Sequence, residues 1–434
     1  MKKEENEKYI FQKKALLVFL YLLYRNQVGY ERINLRSFGF NFDPKCSFKV
    51  IIRSKNGHDH KYSIRIFLSQ RGVNFDDLDI MGNVSIIKVK DIRNVDVYFS
   101  EAGLNIYMDE DQFLASGYLE GKKVYLSSDN NRNDIKDNLL YHLLYSKTED
   151  DSEEPNGSFL SYLVKFYTYR LKTDLVMGAG INVDYGAKSW NELIEALNTD
   201  FYQGDHVLSN EVSSYVGKEL FTSSMVMKAS GFDTYRSLNH ELYEFKEAKS
   251  FNDPDSTLYR CVEFLSKHPG TEVITYNYDT NLEYLLKKRS IRYVSVYDDF
   301  AFADNEAVTK IFHVHGLLPY DRYNETRFTD SLIFNESEYY YLYNNPYSWN
   351  IAKQLHDFKF NACIFIGISL TDPDMKRLLE LAKNYLKFNF IFLKKMDGYS
   401  PTVYKSLTLY FFSFDLIVIW IDEYSEIGKW LETI

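Results

Sequence analysis

Four short stretches of this sequence carry side chains that could do chemistry, and each follows an apolar run of strand character. The first is Gly178-Ala179-Gly180-Ile181-Asn182. Paired glycines let backbone approach a phosphate closely, and they equally suit a tight turn from strand to helix. Ser189 and Glu192, just beyond, have the spacing of a capping box and mark a helix start. The second stretch is Thr275-Tyr276-Asn277-Tyr278-Asp279. Asn277 and Asp279 are two apart at a strand end, so in extended backbone both side chains face one cleft. The alternative is local: Asp279 caps the next helix and Asn277 makes a turn. In the third stretch, Phe312-His313-Val314-His315-Gly316, alternation puts both imidazoles on one strand face and Gly316 lets the chain turn. The fourth is Gly367-Ile368-Ser369-Leu370-Thr371-Asp372-Pro373-Asp374. Asp372 and Pro373 read as the cap and first residue of a helix, while Gly367 and Ser369 fall where a nucleotide ribose or phosphate could lie.

Such stretches cooperate only if a fold gathers the strand ends. From residue 159 on, short apolar runs at 175–177, 272–275, 293–296, 310–314, 362–366, 388–393 and 416–421 alternate with helical segments. That is the pattern of an α/β, Rossmann-like parallel sheet with flanking helices. In such sheets ligands bind beyond the carboxyl ends of the strands, where all four stretches lie. A mostly helical insertion is expected over about 199–267. The region 1–145 reads instead as a small α+β domain. It has a helix near 8–24, strands at 48–53 and 62–68 about the turn pair Asn56-Gly57, further strands at 84–89, 95–99, 104–108 and 122–126, and a helix near 134–145. Residues 146–158 are acidic and lack apolar side chains, so they read as a linker. His58-Asp59-His60 beside the turn pair lacks a third metal ligand, as do His313 and His315, and no metal is expected.

Composition bounds the function further. The 434 residues carry a formal charge of −10, which argues against binding nucleic acid directly through its phosphates. Three scattered cysteines, Cys46, Cys261 and Cys363, cannot form a four-thiolate zinc site or a disulfide framework. The apolar runs at 15–24 and 407–421 fall short of a membrane span, so a cytoplasmic protein is expected.

The four motifs, in this order and at these strand ends, resemble the NAD-binding motifs of sirtuins over roughly residues 171–434. The stretches Leu332-Ile-Phe-Asn-Glu-Ser-Glu-Tyr339 and Ile364 to Asp374 look like the bacterial sirtuin-like branch, which includes NAD-depleting effectors of anti-phage systems such as Thoeris and the defence-associated sirtuins. The four-cysteine zinc module of the deacylases has no counterpart here. Asn182 stands where Ser or Thr is usual, and Tyr276 where the deacylases have Gln. The resemblance implies an NAD hydrolase that cleaves the nicotinamide–ribose bond. NAD is then its substrate, Asn277, Asp279 and His315 are the catalytic set, and Gly178, Ala179, Gly180, Asn182, Thr275, Gly367, Ser369 and Asp372 bind the dinucleotide. In those roles Asn277 holds a water or the ribose hydroxyls, Asp279 anchors the carboxamide and His315 is the general base. The resemblance also implies a homo-oligomer, gated in abortive infection by a partner defence protein such as a HerA-type ATPase or by a phage-derived trigger. An NAD-dependent deacylase and a non-catalytic sensor of NAD or an ADP-ribose derivative are the alternatives.

Overall fold

A computed structural model describes residues 47–54, 59–65, 80–81, 92–98, 103–108, 113–119, 122–127, 144–145, 159–216, 220–244, 253–298, 309–345, 348–370, 372–383 and 388–434. The expected helix at 8–24, the strand at 84–89, the turn pair Asn56-Gly57, His58, the acidic tract and all but the last two residues of the 134–145 helix lie outside these. The chain divides into two compact units, with the break after Arg170.

The first unit contains a seven-stranded antiparallel sheet. Its strands are β1 (Ser47–Ser54), β2 (Asp59–Arg65), β3 (Ile80–Met81), β4 (Ile92–Tyr98), β5 (Gly103–Met108), β6 (Phe113–Leu119) and β7 (Lys122–Ser127), in the order β3-β2-β1-β4-β5-β6-β7. β1 pairs with β2 in the register Arg53↔Asp59, so the strands flanking the turn pair form the expected hairpin. β6 was not expected: its Ala115, Ser116 and Gly117 are weak strand formers, and pairing with β5 and β7 overrides that local preference. The helix Phe159–Arg170 also falls in this unit.

The second unit is the Rossmann-like α/β fold. Strands β8 (Thr173–Met177), β9 (Glu272–Thr275), β10 (Tyr293–Val296), β11 (Thr309–His313), β12 (Ala362–Ile366), β13 (Asn389–Lys394) and β14 (Leu416–Ile421) form one all-parallel sheet in the order β10-β11-β9-β8-β12-β13-β14. β8, β9 and β12 are buried almost throughout, because helices cover both faces and the apolar runs have no solvent side. From β8 the chain leaves first to β9 on one side and later to β12 on the other. The reversal in strand order therefore falls at β8, the switch point where open sheets leave a crevice. The insertion is helical, with helices His206–Val216, Leu220–Ala229, Thr234–Tyr243 and Thr257–Lys267. Leu197, Met227, Leu238, Tyr278 and Phe334 form a satellite core beneath it. Among the described residues no helix is long and apolar enough to cross a membrane.

Candidate functional site

The loops after β8 and β12 meet at the switch point, and glycine is what allows it. Gly178 donates its amide to Ile366 O at 3.0 Å, and Gly180 donates to Gly367 O at 3.0 Å. A Cβ on Gly180 would lie 2.7 Å from Gly367 Cα, and one on Gly367, whose φ is +67°, would lie 2.5 Å from Ile181 N. The spacing of Gly178 and Gly180 thus serves contact between two loops, and two amides that a phosphate could have used are already bonded. Ala179–Tyr185 winds on as a 3₁₀ helix, and Ser189 and Glu192 form the expected capping box of the helix Trp190–Phe201. Asn182 is buried in that turn.

β9 stops at Thr275, and its two polar successors reach back to the β8 loop. Asn277 Nδ2 donates to Gly178 O at 3.2 Å, while Asn277 N donates to Thr275 Oγ1 at 3.1 Å. Asp279 divides its carboxylate: Oδ1 accepts from Asn281 N at 2.9 Å and Oδ2 from Asn182 Nδ2 at 2.9 Å. Asp279 is not the cap its position suggests: the cap of the helix Asn281–Lys288 is Thr280, and Asp279, one residue before it, holds the first helical amide with one oxygen and meets Asn182 with the other. Burial pushes the Asp279 carboxyl up to about 6 against the pull of the Asn281 amide, with Glu283 adding to the rise. The other amide atom of Asn182, Oδ1, is buried without a hydrogen-bond partner among the described residues.

The two histidines part company. β11 ends at His313, and Gly316 N closes a turn onto His313 O at 3.0 Å, so strand alternation does not extend to His315. His313 is fully engaged: Nε2 meets Glu283 Oε1 at 2.6 Å and Nδ1 meets Asn277 O at 3.1 Å. The Glu283 carboxylate and those bonds outweigh burial and raise its pKa above the ordinary value. It is a bracing residue that fixes the backbone of Asn277. His315 lies instead among Tyr276, Tyr339 and Asp372. Its ring meets Tyr276 edge-on at 4.9 Å, its nitrogens lie 3.3 and 3.5 Å from Tyr339 Oη, and Nε2 is 3.6 Å from Asp372 Oδ2. Burial lowers its pKa, and Asp372 and Asp374 oppose this only in part. At neutral pH the imidazole is the uncharged, basic form.

Asp372 caps the helix Pro373–Ala382 as its sequence indicates, accepting from Asp374 N at 2.7 Å through Oδ1. Its Oδ2 accepts the Tyr339 hydroxyl at 2.9 Å. With its proton given to Asp372, the Tyr339 hydroxyl meets His315 as an acceptor from a ring N–H, and in the neutral imidazole the other ring nitrogen is then a proton acceptor. Tyr339 and this role of Asp372 escape a reading by motif, since 33 residues separate the pair and each has an ordinary local explanation. Ser369 is exposed on the same loop, and Leu370 beside it is buried with φ +54°, a left-handed conformation that a leucine holds only when packing imposes it.

Among the described residues the two cysteines are buried and not bonded to each other. Cys261 is in the helix Thr257–Lys267 and Cys363 in β12, and burial raises the Cys261 thiol to about 12. A four-thiolate zinc site of the deacylase kind needs four cysteines, and the sequence has three. Asp174, Glu272 and Asp357 do cluster at the opposite, amino-terminal end of the strands, but the ammonium of Lys353 bonds both Glu272 and Asp357.

The family model of the SIR2-like domain matches residues 271–407, a stretch that holds Asn277, Asp279, His315, Tyr339, Gly367 and Asp372. No curated protein matches the sequence. The match supports a sirtuin-like family and an NAD-related enzyme function, NAD being the substrate of SIR2-like domains.

Proposed function

We propose that the protein hydrolyses NAD at the nicotinamide–ribose bond. The observation that carries this reading is the gathering of Asn277, Asp279 and a neutral, Tyr339-linked His315 around the glycine loops at the switch point. In the reaction the bond between ribose C1′ and the pyridinium nitrogen breaks, and its electron pair leaves with nicotinamide, which becomes neutral. A water oxygen bonds C1′, and its proton passes to His315 and then to solvent. The transition state has oxocarbenium character, so the protein's main tasks are to orient the ribose, present one water and exclude others. Asn277 orients the water or the ribose hydroxyls, and Asp279 with Asn182 receives the carboxamide. Tyr339 and Asp372 hold the imidazole in the tautomer that accepts the proton. Thr275, Gly178, Ala179, Gly180, Gly367 and Ser369 line the path of the dinucleotide.

Asn277, Asp279 and His315 are only 9%, 8% and 4% exposed, so a substrate reaches them after a covering element moves. That favours a gated enzyme. An ungated NAD hydrolase would starve its own cell, and the family resemblance points to an effector that depletes NAD in anti-phage defence as a homo-oligomer. In this reading a partner protein, such as a HerA-type ATPase, or a phage product opens it. Chromatography of NAD incubated with the protein and its candidate activators tests the reaction. Nicotinamide and ADP-ribose in equal amounts are expected, whereas consumption of NAD only with an acylated peptide would make it a deacylase.

A further inference from the structure

The helix Asn281–Lys288 and the edge strand β10 contribute to a cleft of about 460 Å³ that none of Asn277, Asp279 and His315 lines. Its walls include Glu283, Tyr293, Tyr297, Arg322, Arg327 and Phe328. Glu283 is only 5% exposed. Its Oε1 accepts from His313 at 2.6 Å and from the Ser295 hydroxyl at 2.8 Å. Its Oε2 is buried with no hydrogen-bond partner among the described residues. A buried carboxylate oxygen without a donor is costly to maintain, and nothing in the bracing of His313 requires it.

The rest of the cleft has the opposite polarity. Arg322 and Arg327 converge on the Phe328 ring at 5.0 and 4.6 Å, and Tyr297 packs on the same ring at 5.4 Å. Both guanidinium groups pair with the carboxylate of Glu325, so among the described residues two cations share one anion there. The cleft therefore asks for three things together: a hydrogen-bond donor at Glu283, a flat ring against tyrosines, and an anion at the arginines. A simple cation would satisfy Glu283 but be repelled by the arginine pair. Free phosphate would satisfy the arginines and leave Oε2 unpaired.

We propose that this cleft is a second binding site, for a nucleotide whose base carries an exocyclic amine. The amine donates to Glu283 Oε2, the base packs against Tyr293 and Tyr297, and the phosphate meets Arg322 and Arg327. The site does not depend on the reaction proposed above. Glu283 is nonetheless joined through His313 to the carbonyl of Asn277, so a ligand here touches the support of the strand-end cluster.

Calorimetric titration of the full chain with AMP, together with hydrogen exchange, tests the proposal without any need for turnover. AMP is expected to bind and to protect amides in 281–297 and 317–328. Purine riboside 5′-monophosphate, which has hydrogen in place of the amine, is expected to bind about tenfold more weakly or worse, the loss of one charge-assisted hydrogen bond. The double variant Arg322→Ala/Arg327→Ala should lose about tenfold or more for AMP and leave adenosine unchanged. Absence of AMP binding would overturn the proposal. So would protection confined to 178–182 and 367–372, or equal affinity for the nucleotide without the amine.

Discussion

Replacing Asp279 with asparagine should stabilise the protein and stop the reaction together. The Asp279 carboxyl is buried, and its pKa stands at about 6 against an ordinary 3.8. The folded state therefore binds a proton that the unfolded chain releases, so this group's contribution to stability is whole below about pH 3.8 and is lost as pH rises through about 6. At pH 8 the buried carboxylate costs about 3 kcal/mol relative to a group with an ordinary pKa, and at pH 5 about half of that. Asparagine keeps the volume and the acceptor for Asn281 N, and it removes the charge. It would set its own amide nitrogen against Asn182 Nδ2, but Asn182 Oδ1 has no partner among the described residues, so a rotation of the Asn182 amide restores a hydrogen bond. Thermal and urea melts of wild type and Asp279→Asn from pH 5 to 9 measure the difference. The variant should gain about 1–3 kcal/mol at pH 8 and clearly less at pH 5, while nicotinamide release falls to background. A variant that is less stable than wild type at pH 8, or a gain independent of pH, would refute the burial argument.

His315→Ala should lower turnover about 10²- to 10⁴-fold with the melting temperature near wild type, as measured by nicotinamide release. Because burial lowers the pKa of His315, kcat/KM in wild type should rise with pH along an acid limb whose midpoint lies below 6.5. Tyr339→Phe should reduce kcat and move that limb, since the hydroxyl that links the imidazole to Asp372 is lost. His313→Ala should destabilise the fold by about 3–5 kcal/mol in urea, because it strips the partner from the buried carboxylate of Glu283. Gly367→Ala should cost about 1–3 kcal/mol, read from the same melts, through its positive φ and the 2.5 Å approach to Ile181 N.

The parallel sheet was legible because its strands are buried on both faces and bounded by capped helices. β8 and β12 announce themselves as apolar runs followed by glycine, and Asp372-Pro373 marks its helix start without tertiary help. β6 was hidden because Ala115-Ser116-Gly117 has no strand preference of its own, only that of its neighbours. The strand-end cluster was readable to the level of which loops would meet. The division of labour between His313 and His315 was not: strand alternation implied a shared face, whereas the strand ends at His313 and a turn carries His315 elsewhere. The partners that decide it, Glu283 for one ring and Tyr339 with Asp372 for the other, come from separate helices and caps. Glycine spacing was read as close approach to a phosphate or as a tight turn, and the approach the structure holds at Gly178 and Gly180 is that of the Ile366 and Gly367 backbone.

The most direct test of the central claim is the fate of NAD incubated in ¹⁸O-labelled water with the wild-type protein in its activated state, alongside His315→Ala and Asn277→Ala of matched stability. Mass spectrometry of the separated products reads it. Nicotinamide should appear in step with ADP-ribose carrying one labelled oxygen at C1′, and neither variant should make either product. Intact NAD with the wild type, or variants that cleave as fast as wild type, would contradict the assignment of this site.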